Sequence, residues 1–369
     1  MKSKAAVLFE VGKPWEVREV DVKDPGENEV LVRYLASGLC HSDMHVTTGD
    51  IPVDLPYIGG HEGAGVIEAV GPGVTKVKVG DHVVCSFVPA CGRCRWCATG
   101  KSSICDYGEF IVKGCLPNGE FAFSVDGRDA GAMCMLGTFS QYGTVSDASV
   151  VKVDDDLPLE VAVLVGCGVP TGWGSAVNAG NVQIGDTVVI YGIGGVGANA
   201  VQGAVHAGAT TVIAVDPLAN KREFAQELGA THIASNVEEA ADLAHQNRAG
   251  GADVAVITAG IVDEETVTGA NAAIRKNGTI VLTGLAHPAA MTVHLSGFDI
   301  ALSRKRIIGS LFGDCNPASD IVRLLDLYRA GKLKLDELIT TRYTLDQVNQ
   351  GYDDLEAGKN IRGVIIHDH

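Results

Sequence analysis

Apolar and polar positions along the chain follow two different rhythms. Up to about residue 165 the apolar runs are short and broken by glycine and proline. Met1 to Glu10 alternates with the two-residue period of a half-buried strand, and Ala5–Phe9, Glu29–Leu35 and Gly65–Val70 read as strands. Gly71-Pro72-Gly73 and Val79-Gly80-Asp81 are turn signals ahead of the apolar run Val83–Val88. Strand–helix alternation is missing here, so the pattern predicts an antiparallel, barrel-like domain. Near Gly172 the rhythm changes. Thr187–Tyr191 is a buried-strand run, Ala198–Ala207 suits a helix, Thr211–Val215 a strand, Lys221–Leu228 a helix, and Ala252–Thr258 and Gly278–Leu282 further strands. Such alternation predicts a parallel, doubly wound sheet. The last stretch, 312–369, ends on the strand-like Gly363–Ile366 and is expected to rejoin the first domain. The predicted class is α/β, with a β-barrel domain over 1–168 and 312–369 and a doubly wound domain over 169–311.

Composition narrows the function. A chain of 369 residues is long enough for two cores, and 46% hydrophobic with 20% charged residues is globular usage. A net charge of −16 with no basic stripe argues against nucleic acid. No run of about 18 apolar residues predicts a membrane span, and the N-terminus lacks the apolar core of a signal peptide. A cytoplasmic location is therefore expected. Ten cysteines in such a chain point to metal or catalysis before disulfides.

Gly192-Ile193-Gly194-Gly195-Val196-Gly197 follows an apolar strand and opens a helix, the setting in which G-x-G-x-x-G binds a dinucleotide. Gly192 permits the turn, Gly194 lets the backbone approach a pyrophosphate, and Gly197 lets helix and strand pack closely. The helix start, with the N–H groups of Gly195 and Val196, offers positive potential to phosphate. Asp216 ends the next strand, 24 residues after Gly192. An acid there suits ribose hydroxyls and repels a 2′-phosphate, which favours NAD over NADP. A glycine-rich helix cap without ligand is the competing reading.

Two cysteine sets remain. Cys91, Cys94, Cys97 and Cys105 are spaced C-x2-C-x2-C-x7-C, which suits a closed tetrahedral zinc of structural type; a C-x-x-C redox pair is the alternative. Cys40, His61 and Cys167 are far apart, but each lies beside glycine. Two thiolates and one imidazole would leave a zinc with an open fourth position, as catalysis needs. Singly, each could be a buried core residue.

Gly60-His61-Glu62-Gly63, the four-cysteine lobe, Gly166-Cys167-Gly168 through Thr171-Gly172, and Gly192 to Gly197 together resemble the zinc-dependent medium-chain alcohol dehydrogenases, over essentially the whole chain. The resemblance implies a GroES-like catalytic domain and a Rossmann domain, with NAD and two zinc ions per chain. It implies that Cys40, His61 and Cys167 hold the catalytic zinc, that Asp43 bonds the ring of His61, and that Glu62 sits behind the metal. It assigns Ser42 to the substrate oxygen, with a proton relay to His45. Thr171 would line the nicotinamide pocket, Lys221 would approach the adenosine ribose, and Arg362 and His41 would meet pyrophosphate. His41 stands where many relatives carry Arg, so its charge near neutral pH is conditional.

Val79 to Val84, Pro89 to Cys97 and Gly309 to Gly313 resemble the actinobacterial NDMA-dependent group, nicotinoproteins in which NAD stays bound and an external acceptor regenerates it. The family implies a small alcohol or aldehyde substrate and a homodimer or homotetramer, with 301–312 as an edge. A dehydrogenase of a formaldehyde–thiol adduct and a non-enzymatic NAD or metal scaffold are the other readings. Residues 106–138, with Cys115 and Cys134, receive no role, nor do Cys85 and Cys315.

Overall fold

The chain is seen in a computed structural model that describes residues 1–260, 262–285 and 293–369. Its strands, in chain order, are β1 (Lys2–Leu8), β2 (Glu16–Val22), β3 (Glu29–Gly38), β4 (Tyr57–Ile58), β5 (Gly63–Val70), β6 (His82–Cys85), β7 (Phe123–Val125), β8 (Arg128–Ala132), β9 (Tyr142–Ser146) and β10 (Val150–Lys152). Then follow β11 (Thr187–Tyr191), β12 (Thr211–Val215), β13 (His232–Ala234), β14 (Ala252–Ile257), β15 (Ile274–Leu282) and β16 (Arg306–Gly309), and finally β17 (Ile339–Tyr343) and β18 (Arg362–Ile366). Two units form: Met1–Cys167 with Asn316–His369, and Gly168–Cys315.

In the first unit β1, β2, β7, β8 and β4 close a barrel. Alternate residues Ala5, Val7, Val20, Val22, Phe123 and Val125 point into one core with Ile58, Ala130 and Ala132. The unassigned 106–138 segment thus supplies barrel wall: β7 and β8 lie within it, and Cys115 and Cys134 are buried. A second sheet runs β10-β6-β5-β3-β18-β17. β3 is its spine. One edge pairs with β5 along nearly its whole length; the other is shared, with β9 on Glu29–Arg33 and β18 on Ala36–Gly38.

The antiparallel expectation fails at two pairs. β4 runs parallel to β8, and β17 parallel to β18. The second pair is joined by the helix Val348–Glu356, a crossover unit that short apolar runs in the last stretch do not announce.

The second unit is a six-stranded sheet, β13-β12-β11-β14-β15-β16, with every pair parallel. β14 lies beside β11 although β12 and β13 come between them in sequence, so the winding reverses there, beside the turn after β11. β15 starts four residues before the expected Gly278, because Ile274 pairs with Ala252 ahead of a register break. The core is aliphatic, built on Val189, Ile213, Ala255, Ile257 and Ile280.

Just past β18, His367 is buried; its Nε2 lies 3.1 Å from both Ser37 Oγ and Thr138 O. Burial pulls its pKa down to about 4. The unfolded chain takes up that proton near pH 6.5, so this stabilising contribution is full above pH 6.5 and is lost as pH falls toward 4. His367→Gln should reduce the stability lost between pH 7 and pH 5 by about 2 kcal/mol, read from urea midpoints. An acid limb identical to that of the wild type would contradict this.

Candidate active site

The first cluster is assembled from three chain segments of the first unit. Strand β3 ends at Gly38, and Cys40 takes the extended N-cap position of the short helix His41–Thr47. Gly38 must be glycine: a Cβ there would fall 2.0 Å from Glu62 Oε2. His61 and Glu62 sit between β4 and β5. Their turn needs Gly60, which has φ +86° and would drive a Cβ to 2.5 Å from the Phe139 nitrogen. Gly60 N donates to Asp43 Oδ1 at 2.9 Å, which ties this turn to the helix. Cys167 lies between the 3-10 turn Val163–Gly166 and the helix Gly168–Gly174. Gly166 packs on β6, where a Cβ would meet the Cys85 carbonyl at 2.5 Å.

One ligand atom from each of Cys40, His61, Glu62 and Cys167 falls within 4.8 Å of every other. All four residues are buried. Asp43 is fully buried, with Oδ2 3.1 Å from His61 Nδ1 but off the line of a good hydrogen bond. Glu62 Oε2 pairs with Arg362 Nη2, and Arg362 is only 5% exposed. That pairing was not foreseen, and it engages a guanidinium assigned to pyrophosphate. Among the described residues His61 Nε2 and Glu62 Oε1 have no hydrogen-bond partner.

The four buried groups shift one another strongly. A hydrogen bond from Cys167, helped by His61 and Arg362, holds Cys40 well below the usual thiol range, while the same bond and burial push Cys167 well above it. Burial opposes charge on His61, yet Asp43 and Cys40 raise it well above an ordinary imidazole. Burial raises Glu62 although Arg362 opposes it. A buried imidazole beside two thiols, its Nε2 without a hydrogen-bond partner among the described residues, is what a thiophilic ion would satisfy.

The second cluster is the lobe. Cys91 and Cys97 Sγ are 4.0 Å apart, Cys94 and Cys105 Sγ 3.9 Å, and all four lie within 4.8 Å of one another. Sulfurs at about 2.3 Å from a shared tetrahedral zinc stand about 3.8 Å apart. These cysteines form no disulfide. Burial raises Cys94, but the N–H groups of Cys97 and Asp106 outweigh it and bring the thiol to about 6.

The helix His41–Thr47 places the relay candidates. Cys40 Sγ is 3.6 Å from Ser42 Oγ. His45 is buried and its Nδ1 is 2.9 Å from Asp50 Oδ2. His41 is half-buried, its ring edge-on to His45 at 5.2 Å. Asp50 is a partner that sequence reasoning missed; the Gly49-Asp50 turn just past the helix was its signal.

In the second unit each glycine of the turn has a distinct geometry. Gly192 has φ +89°, and its Cβ would fall 2.7 Å from Ala259. A Cβ on Gly197 would come 1.9 Å from the Gly192 carbonyl. A Cβ on Gly194 would meet nothing within 4 Å among the described residues, so that side of the backbone is open. Gly195, Val196 and Gly197 begin the helix Gly195–His206. Asp216 receives Ile193 N at Oδ2 and Leu218 N at Oδ1, at 2.8 and 2.9 Å. It therefore braces the turn as well as standing beside it. Lys221 is half-buried on the helix Ala219–Glu227, whose neighbour Arg222 donates to the Asp216 and Pro217 carbonyls. Thr171 lies on the helix Gly168–Gly174, and its carbonyl accepts from Ser175 Oγ at 2.6 Å.

Two family models match: the alcohol dehydrogenase GroES-like domain over residues 26–155 and the zinc-binding dehydrogenase over 195–329. The chain is 62% identical to a putative alcohol dehydrogenase D of Mycobacterium tuberculosis, covering 100% of both. The chain belongs to the zinc-dependent medium-chain alcohol dehydrogenases. It is also 62% identical to an NDMA-dependent alcohol dehydrogenase of Amycolatopsis methanolica, covering 100% of this chain and 99% of that one. The crystal structure of benzyl alcohol dehydrogenase from Acinetobacter calcoaceticus superposes with a TM-score of 0.93 at 32% identity over 100% of each chain. The enzyme is thus an NAD-dependent oxidoreductase of alcohols and aldehydes whose two cysteine-bearing clusters fit a catalytic and a structural zinc. Among the described residues no single helix is long and apolar enough to cross a membrane.

Purified enzyme should carry two zinc ions per chain by elemental analysis. Cys40→Ser should keep one and lose turnover, with its far-UV spectrum unchanged. Full activity, or two ions, in that variant would remove Cys40 from the catalytic set.

Proposed function

We propose that the enzyme oxidises a small primary or secondary alcohol, or reduces the matching carbonyl, with NAD retained between turnovers and regenerated by an external acceptor. The full-length 62% identity to an NDMA-dependent relative carries the retention reading. Cys40, His61 and Cys167 would hold the catalytic zinc, which lowers the pKa of an alcohol hydroxyl. Cys91, Cys94, Cys97 and Cys105 would hold the structural one. NAD supplies the hydride acceptor.

This chain's own residues do the rest. Asp43 fixes the ring of His61 so that Nε2 faces the thiols. Ser42, beside Cys40, takes the hydroxyl proton, and His45 receives it and returns it to water. Glu62 with Arg362 forms a neutralised pair that sets the field behind the cluster. Gly192, Gly194, Gly195, Val196 and Gly197 cradle the pyrophosphate, with His41 and the remaining donors of Arg362 as cationic partners. Asp216 and Lys221 take the adenosine ribose, and Thr171 lines the nicotinamide pocket. A homo-oligomer built on the edge strand β16 is supported by the exposed apolar side chains Phe298, Leu302, Ile307 and Leu311. A cytoplasmic location completes the reading.

Exhaustively dialysed enzyme should release NAD on acid denaturation and turn over alcohol with NDMA but without added NAD. Enzyme that emerges nucleotide-free and works only with added NAD would leave the dehydrogenase but remove retention. Asp216→Asn keeps one acceptor for the turn and loses the second, so selectivity for NAD over NADP should fall about tenfold or more. Unchanged selectivity would clear Asp216 of that role.

A further inference from the structure

The helix His41–Thr47 ends in a way that matters to the residue it carries. Gly49 has φ +84°, and Gly49 N donates to Val46 O while Ile51 N donates to His45 O. This left-handed turn reverses the chain within one residue. It returns Asp50 to the Nδ1 edge of His45, five positions back. Asp50 Oδ2 then takes both His45 Nδ1 and the Thr48 hydroxyl, each at 2.9 Å. The His45 side chain is 7% exposed and that of Asp50 21%, so the pair is partly shielded from water. Gly49 cannot be relaxed to another residue easily, since a Cβ would fall 2.8 Å from Val11 Cγ1.

We propose that Asp50 is a positioning residue for proton transfer: it accepts Nδ1–H of His45, fixes that tautomer, and leaves Nε2 as the acceptor for the substrate proton. The inference rests on the reading of His45 as the relay terminus. The carboxylate selects one tautomer because only Nδ1–H, not a bare Nδ1, can donate to it. When Nε2 takes the proton that left the alcohol hydroxyl, the imidazolium keeps both ring protons, and Asp50 faces the new positive charge. The proton on Nε2 then passes to water and the starting state returns. No electron moves in this step.

The test uses the full-length, zinc-loaded enzyme and four proteins: wild type, His45→Gln, Asp50→Asn and the double variant. Asp50→Asn keeps the size of the side chain and a partner for Thr48, and circular dichroism checks the fold. Turnover should fall about tenfold or more in Asp50→Asn with KM for alcohol changed less than twofold, and Asp50→Glu should recover part of it. In the His45→Gln background Asp50→Asn should add nothing. Nitrogen-15 spectra of labelled histidine should show one ring with its acceptor nitrogen at Nε2 in wild type, lost in Asp50→Asn. A slowed His45→Gln beside a normal Asp50→Asn, or effects that multiply, would overturn the role of Asp50 and leave the relay. Undiminished turnover in His45→Gln would overturn both.

Discussion

A buried surplus of acidic groups governs the first unit. Cys40, Cys167, Asp43 and Glu62 converge where water is excluded, and the guanidinium of Arg362 answers only part of their charge. Burying like-signed groups without compensation is far too costly for a marginally stable chain. The hydrogen bond between the thiols holds Cys40 low and Cys167 high, and Asp43 and Cys40 raise His61 against its burial. A divalent ion held by Cys40, His61 and Cys167 would relieve that conflict. The glycines at 38, 60 and 166 exist for the same reason: each lets backbone approach closely enough that side chains from three segments meet.

The nucleotide turn follows a different logic. There the chain leaves space instead of filling it. Gly192 and Gly197 are forced by contacts within the protein, whereas a Cβ on Gly194 would meet no described residue within 4 Å. Asp216 joins the two kinds of constraint, because its carboxylate accepts main-chain N–H groups from the turn and from its own loop. A residue proposed to meet a ligand is thereby also part of the scaffold that shapes the turn.

Much of this was legible in the sequence. Periodicity gave β11 and β12 to the residue, since strands buried on both faces are continuous apolar runs. Both cysteine sets could be read from spacing and neighbouring glycines, and both come together in space. What stayed hidden depends on distance along the chain. The Glu62–Arg362 pair spans 300 residues, and nothing near either residue announces the other. Strands β7 and β8 are short and lie among glycines, so barrel wall looked like loop. The β17–β18 crossover escaped because only its final strand carries a strong apolar run. Asp50 was within reach of local reasoning, since a glycine after a short helix marks a chain reversal.

The shared edge of β3 has a consequence for biosynthesis. The strand that leads into Cys40 is flanked along its last residues by β18, which is made more than 300 residues later. While the ribosome is still adding that segment, the end of β3 has a row of unpaired amides and Arg362 has not arrived beside Glu62. A nascent chain can close its barrel earlier, but the cradle beside Cys40 is complete only once β18 has been made. A chain cut off before β18 therefore lacks one wall of its centre.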